Sequence, residues 1–218
     1  MRIALIHALA HSIAPINDAF GEMWPDARRV NLLDDSLSSD LAANGGVLDE
    51  AMHQRFQVLA DYAVAAGADG ILFTCSAFGS SIEQVARRHA SIPVLKPNEA
   101  MIADAARTAQ SNGKSVGLVA SFAPTLVSMP PEFPGGVRLD TELVENAMRA
   151  LDAGDFIKHD AAVVAAAKHL KLRGAGVIAL AQFSMARAAS AVEAATGLPV
   201  LTTPASAIRL LKRRLGAA

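Results

Sequence analysis

A single cysteine ends an apolar run, in a position where a thiol could do chemistry. Cys75 stands in GILFTCSAFGSS (70–81), in which residues 71–74 predict a buried strand and the small residues after them a turn. A thiolate can move a proton or attack carbon, and N–H groups at the start of a following helix would favour it. We therefore predict Cys75 to be catalytic, with a thiol pKa below its ordinary value. The alternative is a small buried apolar side chain, a common use of free cysteine.

An internal repeat gives Cys75 a counterpart. Residues 67–107 and 174–213 share an apolar run, a small-polar turn, an amphipathic segment, a Pro-Val-Leu strand and a Pro-led helix, and Pro97 and Pro204 are 107 residues apart. Upstream, the apolar strands 2–9 and 115–122 are paired in the same way. The spacing of 107 residues also matches Cys75 with Gln182. The Gln182 amide has no useful pKa as an acid or base.

The repeat also predicts the fold. Its strands are continuous apolar runs, which is typical of parallel strands covered by helices on both faces. We predict an α/β protein of two similar doubly wound parallel-sheet subdomains, residues 1–111 and 112–218, related by a pseudo-twofold axis. The last helix of the first subdomain is the segment expected to cross over. Ligands bind at the carboxyl ends of such strands, so the active site is expected in the cleft between the subdomains.

Composition excludes several classes of partner. The chain of 218 residues is 52% hydrophobic with a formal net charge of −1, so neither nucleic acid nor a membrane is expected as a partner. One cysteine and the lack of a recognisable signal peptide at the first residues predict a cytoplasmic location. His7 and His11 have the spacing of two metal ligands on a helix, but His7 is predicted to end a strand and no third ligand is near in sequence. No metal is predicted.

Four segments together resemble the Asp/Glu racemase superfamily, which includes glutamate, aspartate and hydantoin racemases, maleate isomerase and arylmalonate decarboxylase. They are FTCSAFGSS (73–81), IPVLKPNEA (92–100), SVGLVASFAPTLVS (115–128) and LPVLTTPASA (198–207). The resemblance covers nearly the whole chain. It implies a cofactor-independent enzyme, a small carboxylate substrate, a homodimer and one cysteine from each half beside the substrate's α-carbon. Because Gln182 stands where the second cysteine belongs, racemisation by two thiols is not expected.

Seven residues are candidates for substrate binding. The resemblance implies that Ser76 binds a substrate carboxylate and that Ser121 and Thr125 lie in the matching segment of the second half. Gln182 and Ser184 could donate hydrogen bonds from the altered turn. His7 ends the first strand and could contact substrate or the thiol, while Ser12 is expected to cap the next helix or to bind substrate.

The resulting hypothesis is an isomerase-, racemase- or decarboxylase-like enzyme that acts on a small carboxylate or amino-acid-like compound through Cys75. Two alternatives stay open. One is a family member that binds a carboxylate without turnover, because one of two catalytic groups is missing. The other is a hydrolase that uses Cys75 as a nucleophile, for which no accompanying His and acid motif is recognised.

Overall fold

The computed structural model describes residues 1–217, which form two compact units. One comprises Met1–Pro97 with the chain from Ala207 onward, and the other comprises Asn98–Ser206. Helix α5 (Glu99–Asn112), the segment expected to cross over from the first subdomain, groups with the second unit. The part of helix α10 (Thr203–Arg214) from Ala207 onward groups with the first unit. The predicted α/β class with two similar parallel sheets is confirmed.

The first unit is built on a four-stranded parallel sheet in the order β2-β1-β3-β4. Its strands are β1 (Arg2–His7), β2 (Arg28–Leu33), β3 (Gly70–Phe73) and β4 (Val94–Leu95). Its helices are α1 (Ile13–Met23), α2 (Ser36–Ala43), α3 (Glu50–Ala65) and α4 (Gly79–Arg88). The core holds three stacked or tilted rings, in which Phe56 lies 5.3 Å from Phe73 and 4.8 Å from Phe78 between centroids. Phe78 belongs to the turn after β3, so its contact with Phe56 joins this turn to the core.

The second unit repeats this topology with the order β6-β5-β7-β8, again all parallel. Its strands are β5 (Ser115–Ala120), β6 (Leu139–Leu143), β7 (Ala175–Leu180) and β8 (Val200–Thr202). Besides α5, its helices are α6 (Thr125–Ser128), α7 (Glu145–Asp152), α8 (Phe156–Leu172) and α9 (Ala189–Thr196). Within residues 1–217, no helix is both long and apolar enough to cross a bilayer.

The same local devices recur in both units. Asp49 accepts a hydrogen bond from the Met52 N–H at the start of α3, and Asp155 accepts one from the Lys158 N–H at the start of α8. The two halves are therefore related by local chemistry as well as by strand order.

Backbone hydrogen bonds fix which residues correspond at the strand ends. The Thr74 N–H donates to the Ile6 carbonyl at 3.0 Å, and the Ala181 N–H donates to the Val119 carbonyl at 2.9 Å. Each bond joins the residue after the third strand of a unit to the penultimate residue of its central strand. Cys75 and Gln182, the next residues along the chain, hence occupy matching positions.

Candidate active site

Cys75 lies at the carboxyl edge of the first sheet. It directly precedes a 3-10 turn, Ser76–Phe78, which leads into α4. The residue is partly exposed and packs against the first unit's core. A narrow crevice beside it, lined by Ile6, His7, Ala8, Phe56 and Phe73 among others, is too small to hold a water molecule. Part of the residue is exposed to solvent, while the side chain contacts apolar residues of the core.

The protonation of Cys75 differs from the sequence prediction. Burial raises the pKa of the thiol and outweighs the opposing effect of a backbone hydrogen bond from Ala77. The prediction of a lowered pKa was wrong because burial against the apolar core disfavours the thiolate more than the Ala77 hydrogen bond stabilises it. A 3-10 turn also separates Cys75 from the first residue of α4, Gly79. At neutral pH the resting group is a thiol.

His7 ends β1 and is fully buried beside Cys75. Its Nε2–H donates to Asn31 Oδ1 at 3.0 Å, and its Nδ1 accepts from the Thr74 hydroxyl at 2.9 Å. Burial lowers the pKa of His7, against a smaller raising effect of the Asn31 hydrogen bond. The imidazole is therefore neutral, with both nitrogens occupied by protein groups.

The two serines predicted in this unit lie in different surroundings. Ser76 is the first residue of the 3-10 turn after Cys75 and is partly exposed. Ser12 is almost buried at the start of α1, where its side chain makes no capping hydrogen bond. The expectation that Ser12 caps the helix was therefore wrong, because its backbone is already helical and turns the hydroxyl away from the free N–H groups. Contact with substrate stays a prediction for both.

The matching edge of the second unit carries a hydrogen-bonded cluster around Gln182. Gln182 Oε1 accepts from the Ser121 N–H at 2.9 Å, and its Nε2 donates to the Thr125 hydroxyl oxygen at 2.9 Å. Ser121 and Thr125 are almost completely buried. The structure thus brings three of the predicted residues together, and it fixes the amide orientation because only oxygen can accept from a backbone N–H. Ser184 is buried in the following 3-10 turn, Phe183–Ala188.

Metal binding finds no counterpart in the described part of the chain, where no three His, Cys, Asp or Glu side chains are grouped to hold an ion.

Comparisons with known proteins place the chain in a family. A family model described as Asp/Glu/hydantoin racemase matches residues 16–211. The chain belongs to the Asp/Glu/hydantoin racemase family. No curated protein gave a significant match.

Solved structures of similar fold are also racemases. An allantoin racemase from Klebsiella pneumoniae is 19% identical, with a TM-score of 0.74 over 100% of this chain and 89% of that chain. An aspartate racemase from Picrophilus torridus is 14% identical, with a TM-score of 0.68 over 100% and 95%. A glutamate racemase from Thermus thermophilus, solved with β-chloro-D-alanine, is 17% identical, with a TM-score of 0.70 over 99% and 80%. At these identities the similarity is one of fold, and with the family match it supports an enzyme of the racemase type.

Sequence reasoning did not identify His159, an unusual polar residue of the second unit. It is fully buried on α8, its Nδ1 donates to Asp160 Oδ1 at 2.7 Å, and its Nε2 has no hydrogen-bond partner among the described residues. Asp160 in turn accepts from Arg187 at 2.9 Å. The repeat held the signal, because the residue 107 positions earlier is Met52, a buried apolar side chain.

Proposed function

We propose that the chain is a cofactor-independent enzyme that transfers a proton at the α-carbon of a small carboxylate or amino-acid-like compound, with Cys75 as its one thiol. The observation that carries this proposal is the position of Cys75 at the end of β3, partly exposed, in a chain of the Asp/Glu/hydantoin racemase family. The names of its structural neighbours suggest amino acids and allantoin as probes.

The state of the thiol favours an acid role at rest. A carbanion formed at the α-carbon by loss of CO2 would delocalise its electron pair into the adjacent carbonyl as an enolate. The Cys75 S–H would then give its proton to the carbon, and the thiolate would regain a proton from water. Run in the other direction, the thiolate removes the α-proton and the electron pair moves to the carbonyl oxygen. A raised pKa suits the first direction, since most of the thiol is protonated at neutral pH.

Hydroxyl and amide groups at the strand ends would bind the carboxylate and the enolate oxygen. In this proposal the first unit supplies Ser12 and Ser76, and His7 acts on the thiol side. The second unit supplies Ser121, Thr125, Gln182 and Ser184. Gln182 has a second Nε2–H beyond the one given to Thr125, and the Thr125 hydroxyl, which accepts that bond, keeps its own hydrogen for donation.

A second candidate is a family member that binds a carboxylate without turnover. The Gln182 cluster favours it, because both ends of the amide are held by Ser121 and Thr125 and neither can serve as an acid or base near neutral pH. A two-base racemisation needs such a group on the second face of the substrate.

The test is hydrogen exchange in deuterated water. The chain and its Cys75→Ala variant would be incubated with each enantiomer of aspartate, glutamate and allantoin and with phenylmalonate, and the products followed by proton NMR and chiral chromatography. We expect deuterium at the α-carbon with retained configuration, or release of CO2, in wild type and none in Cys75→Ala. Efficient racemisation by wild type would refute the single-thiol mechanism. Binding by calorimetry without any exchange would favour the second candidate.

A further inference from the structure

Four side chains form a continuous hydrogen-bonded chain that ends next to Cys75. Asn17 Nδ2 donates to Asn31 Oδ1 at 2.9 Å, and His7 Nε2–H donates to the same oxygen at 3.0 Å. Thr74 then donates its hydroxyl to His7 Nδ1 at 2.9 Å. Asn31 is exposed whereas His7 and Thr74 are buried, so this polar chain runs from the surface to the residue before the cysteine.

The polar chain favours one state of His7. Asn17 Nδ2 donates to the Ile13 carbonyl at 2.8 Å, which identifies it as nitrogen. The Asn31 atom that it also contacts is therefore the oxygen, and His7 Nε2 carries a hydrogen. Nδ1 is then a bare lone pair that accepts from Thr74. A second proton, on Nδ1, would require the Thr74 hydroxyl to donate to the Ile6 carbonyl at the longer distance of 3.4 Å, and no carboxylate is bonded to either ring nitrogen to favour the charge.

The second unit shows that the fold does not need this polar chain. It has the same strand order and the same backbone hydrogen bond at the strand end. Its residues at the matching positions are Ala120 for His7, Ala181 for Thr74 and Thr141 for Asn31. The polar chain is therefore confined to the unit that carries the thiol.

We propose that Asn31 is a positioning residue that holds His7 as the neutral Nε2–H tautomer through this polar chain, and so keeps a positive charge away from the Cys75 thiol. His7 and Cys75 line the same crevice, where the low dielectric makes a charge on the ring effective at the sulfur. The inference rests on the proposed function only for what the effect on Cys75 is used for. A thiol kept protonated is the acid that the proposed reaction uses.

Several other titratable groups of the first unit are held by neighbouring side chains. Arg55 on α3 contacts Asp34 at 2.6 Å and Asp40 at 2.5 Å. On α4, Glu83 contacts Lys96 at 2.9 Å. On α3, His53 is hydrogen-bonded to Ser81 of α4 at 2.8 Å. These groups stay the same in the experiment below, so a change in thiol reactivity there reports on the altered strand residue.

The experiment places a carboxylate at the position of the amide. In Asn31→Asp, the new carboxylate would stabilise a protonated His7, and the imidazolium would lie between it and the thiol. Reaction with iodoacetamide, followed by mass spectrometry across pH 6–10, reports on Cys75 alone because the chain has one cysteine. We expect alkylation at pH 7 to be about threefold faster than in wild type. A pKa lower by about one unit gives more thiolate, part of which is offset by the lower nucleophilicity of that thiolate.

The matched control is the double variant His7→Gln with Asn31→Asp, which carries the same carboxylate at the same position without an imidazole to protonate. A carboxylate acting directly on the thiol raises its pKa, so this variant should react no faster than His7→Gln alone. Slower or unchanged alkylation in Asn31→Asp, or equal acceleration in the control, would overturn the proposal.

A measurement on wild type covers the case in which Asn31→Asp does not fold. Nitrogen NMR of the His7 ring should show a protonated Nε2 and a bare Nδ1 from pH 8 down to pH 6. A charged ring at pH 7, or the opposite tautomer, would refute the proposal. Neither measurement uses a substrate, so both outcomes are independent of whether the chain turns over a carboxylate.

Discussion

Replacing Gln182 tests whether its amide stabilises the fold or only marks a position where a second thiol is missing. In Gln182→Cys the Ser121 N–H loses its acceptor and the Thr125 hydroxyl loses its donor, two bonds of 2.9 Å at almost buried residues. A hydrogen bond contributes about 0.5–1.5 kcal/mol net, and a buried N–H left unpaired costs more. We expect the free energy of unfolding to fall by about 2–3 kcal/mol. For a chain of this size the melting temperature would drop by about 5–10 °C.

Gln182→Glu should behave differently, although it also introduces a titratable group. The carboxylate can accept from the Ser121 N–H and, with the Thr125 hydroxyl turned around, from that group as well. Two donors favour ionisation, so the side chain should be charged at pH 7 and the stability should stay within about 1 kcal/mol of wild type. Gln182→Met is the matched control, since it keeps the volume and makes neither bond.

The assays are thermal unfolding followed by circular dichroism and α-deuteration of the amino-acid panel. We expect the order of stability to be wild type, then Glu, then Met and Cys. We expect some inversion of configuration to appear in the Cys and Glu variants, because each gives the second unit a proton-transfer group. Equal melting temperatures for wild type and Gln182→Met would refute the structural role of the amide. Stable variants with inversion no faster than wild type would refute the argument that a missing acid limits the reaction.

Three further outcomes concern buried titratable groups. His159→Met copies the Met52 position of the repeat and removes the unpartnered Nε2 together with the Nδ1 bond to Asp160, which keeps Arg187 as a partner, so the free energy of unfolding should change by less than about 1 kcal/mol. A loss of more than about 2 kcal/mol in a urea titration would show that the bond between His159 and Asp160 stabilises the fold. Burial raises the pKa of Cys75, so the unfolded chain loses its thiol proton first and stability should fall as pH rises above about 8.5. Urea titrations of Cys75→Ala should lack that slope, and a slope equal to wild type would contradict the assignment. His7 has a lowered pKa, so the unfolded chain gains a proton first and stability should fall as pH drops below about 6.5; His7→Ala should flatten this acid limb, and an unchanged limb would assign it to other groups.

The sequence predicted the strands and the repeat because both depend on pattern. Continuous apolar runs such as residues 71–73 identify buried parallel strands, and the constant spacing of the repeat matches Cys75 with Gln182 before any coordinate is known. The grouping of α10 from Ala207 onward with the first unit, which the sequence analysis did not predict, is a different kind of property. An amphipathic helix after a strand can cover either of two similar sheets, and only the packed structure shows which one.

The side-chain environments could not be predicted for a related reason. The sign of the Cys75 pKa shift depends on a balance between burial and one backbone hydrogen bond, which the residue types do not determine. The hydrogen bond between His7 and Asn31 joins residues 24 positions apart on neighbouring strands, and it depends on a parallel register that pairs Leu5 with Asn31. Nothing in either residue type marks the other as its partner.

The two sheet edges differ in which of their polar groups make hydrogen bonds that join one element to another. At the second edge, Gln182 uses its oxygen for the Ser121 N–H and one of its N–H bonds for Thr125, so the amide ties the strand end to α6. At the first edge that task falls to Thr74 and His7, one residue earlier. Cys75 accepts a single backbone hydrogen bond and ties no element to another. Cys75 therefore makes no hydrogen bond that joins two elements, because Thr74 and His7 make the side-chain hydrogen bond at this edge.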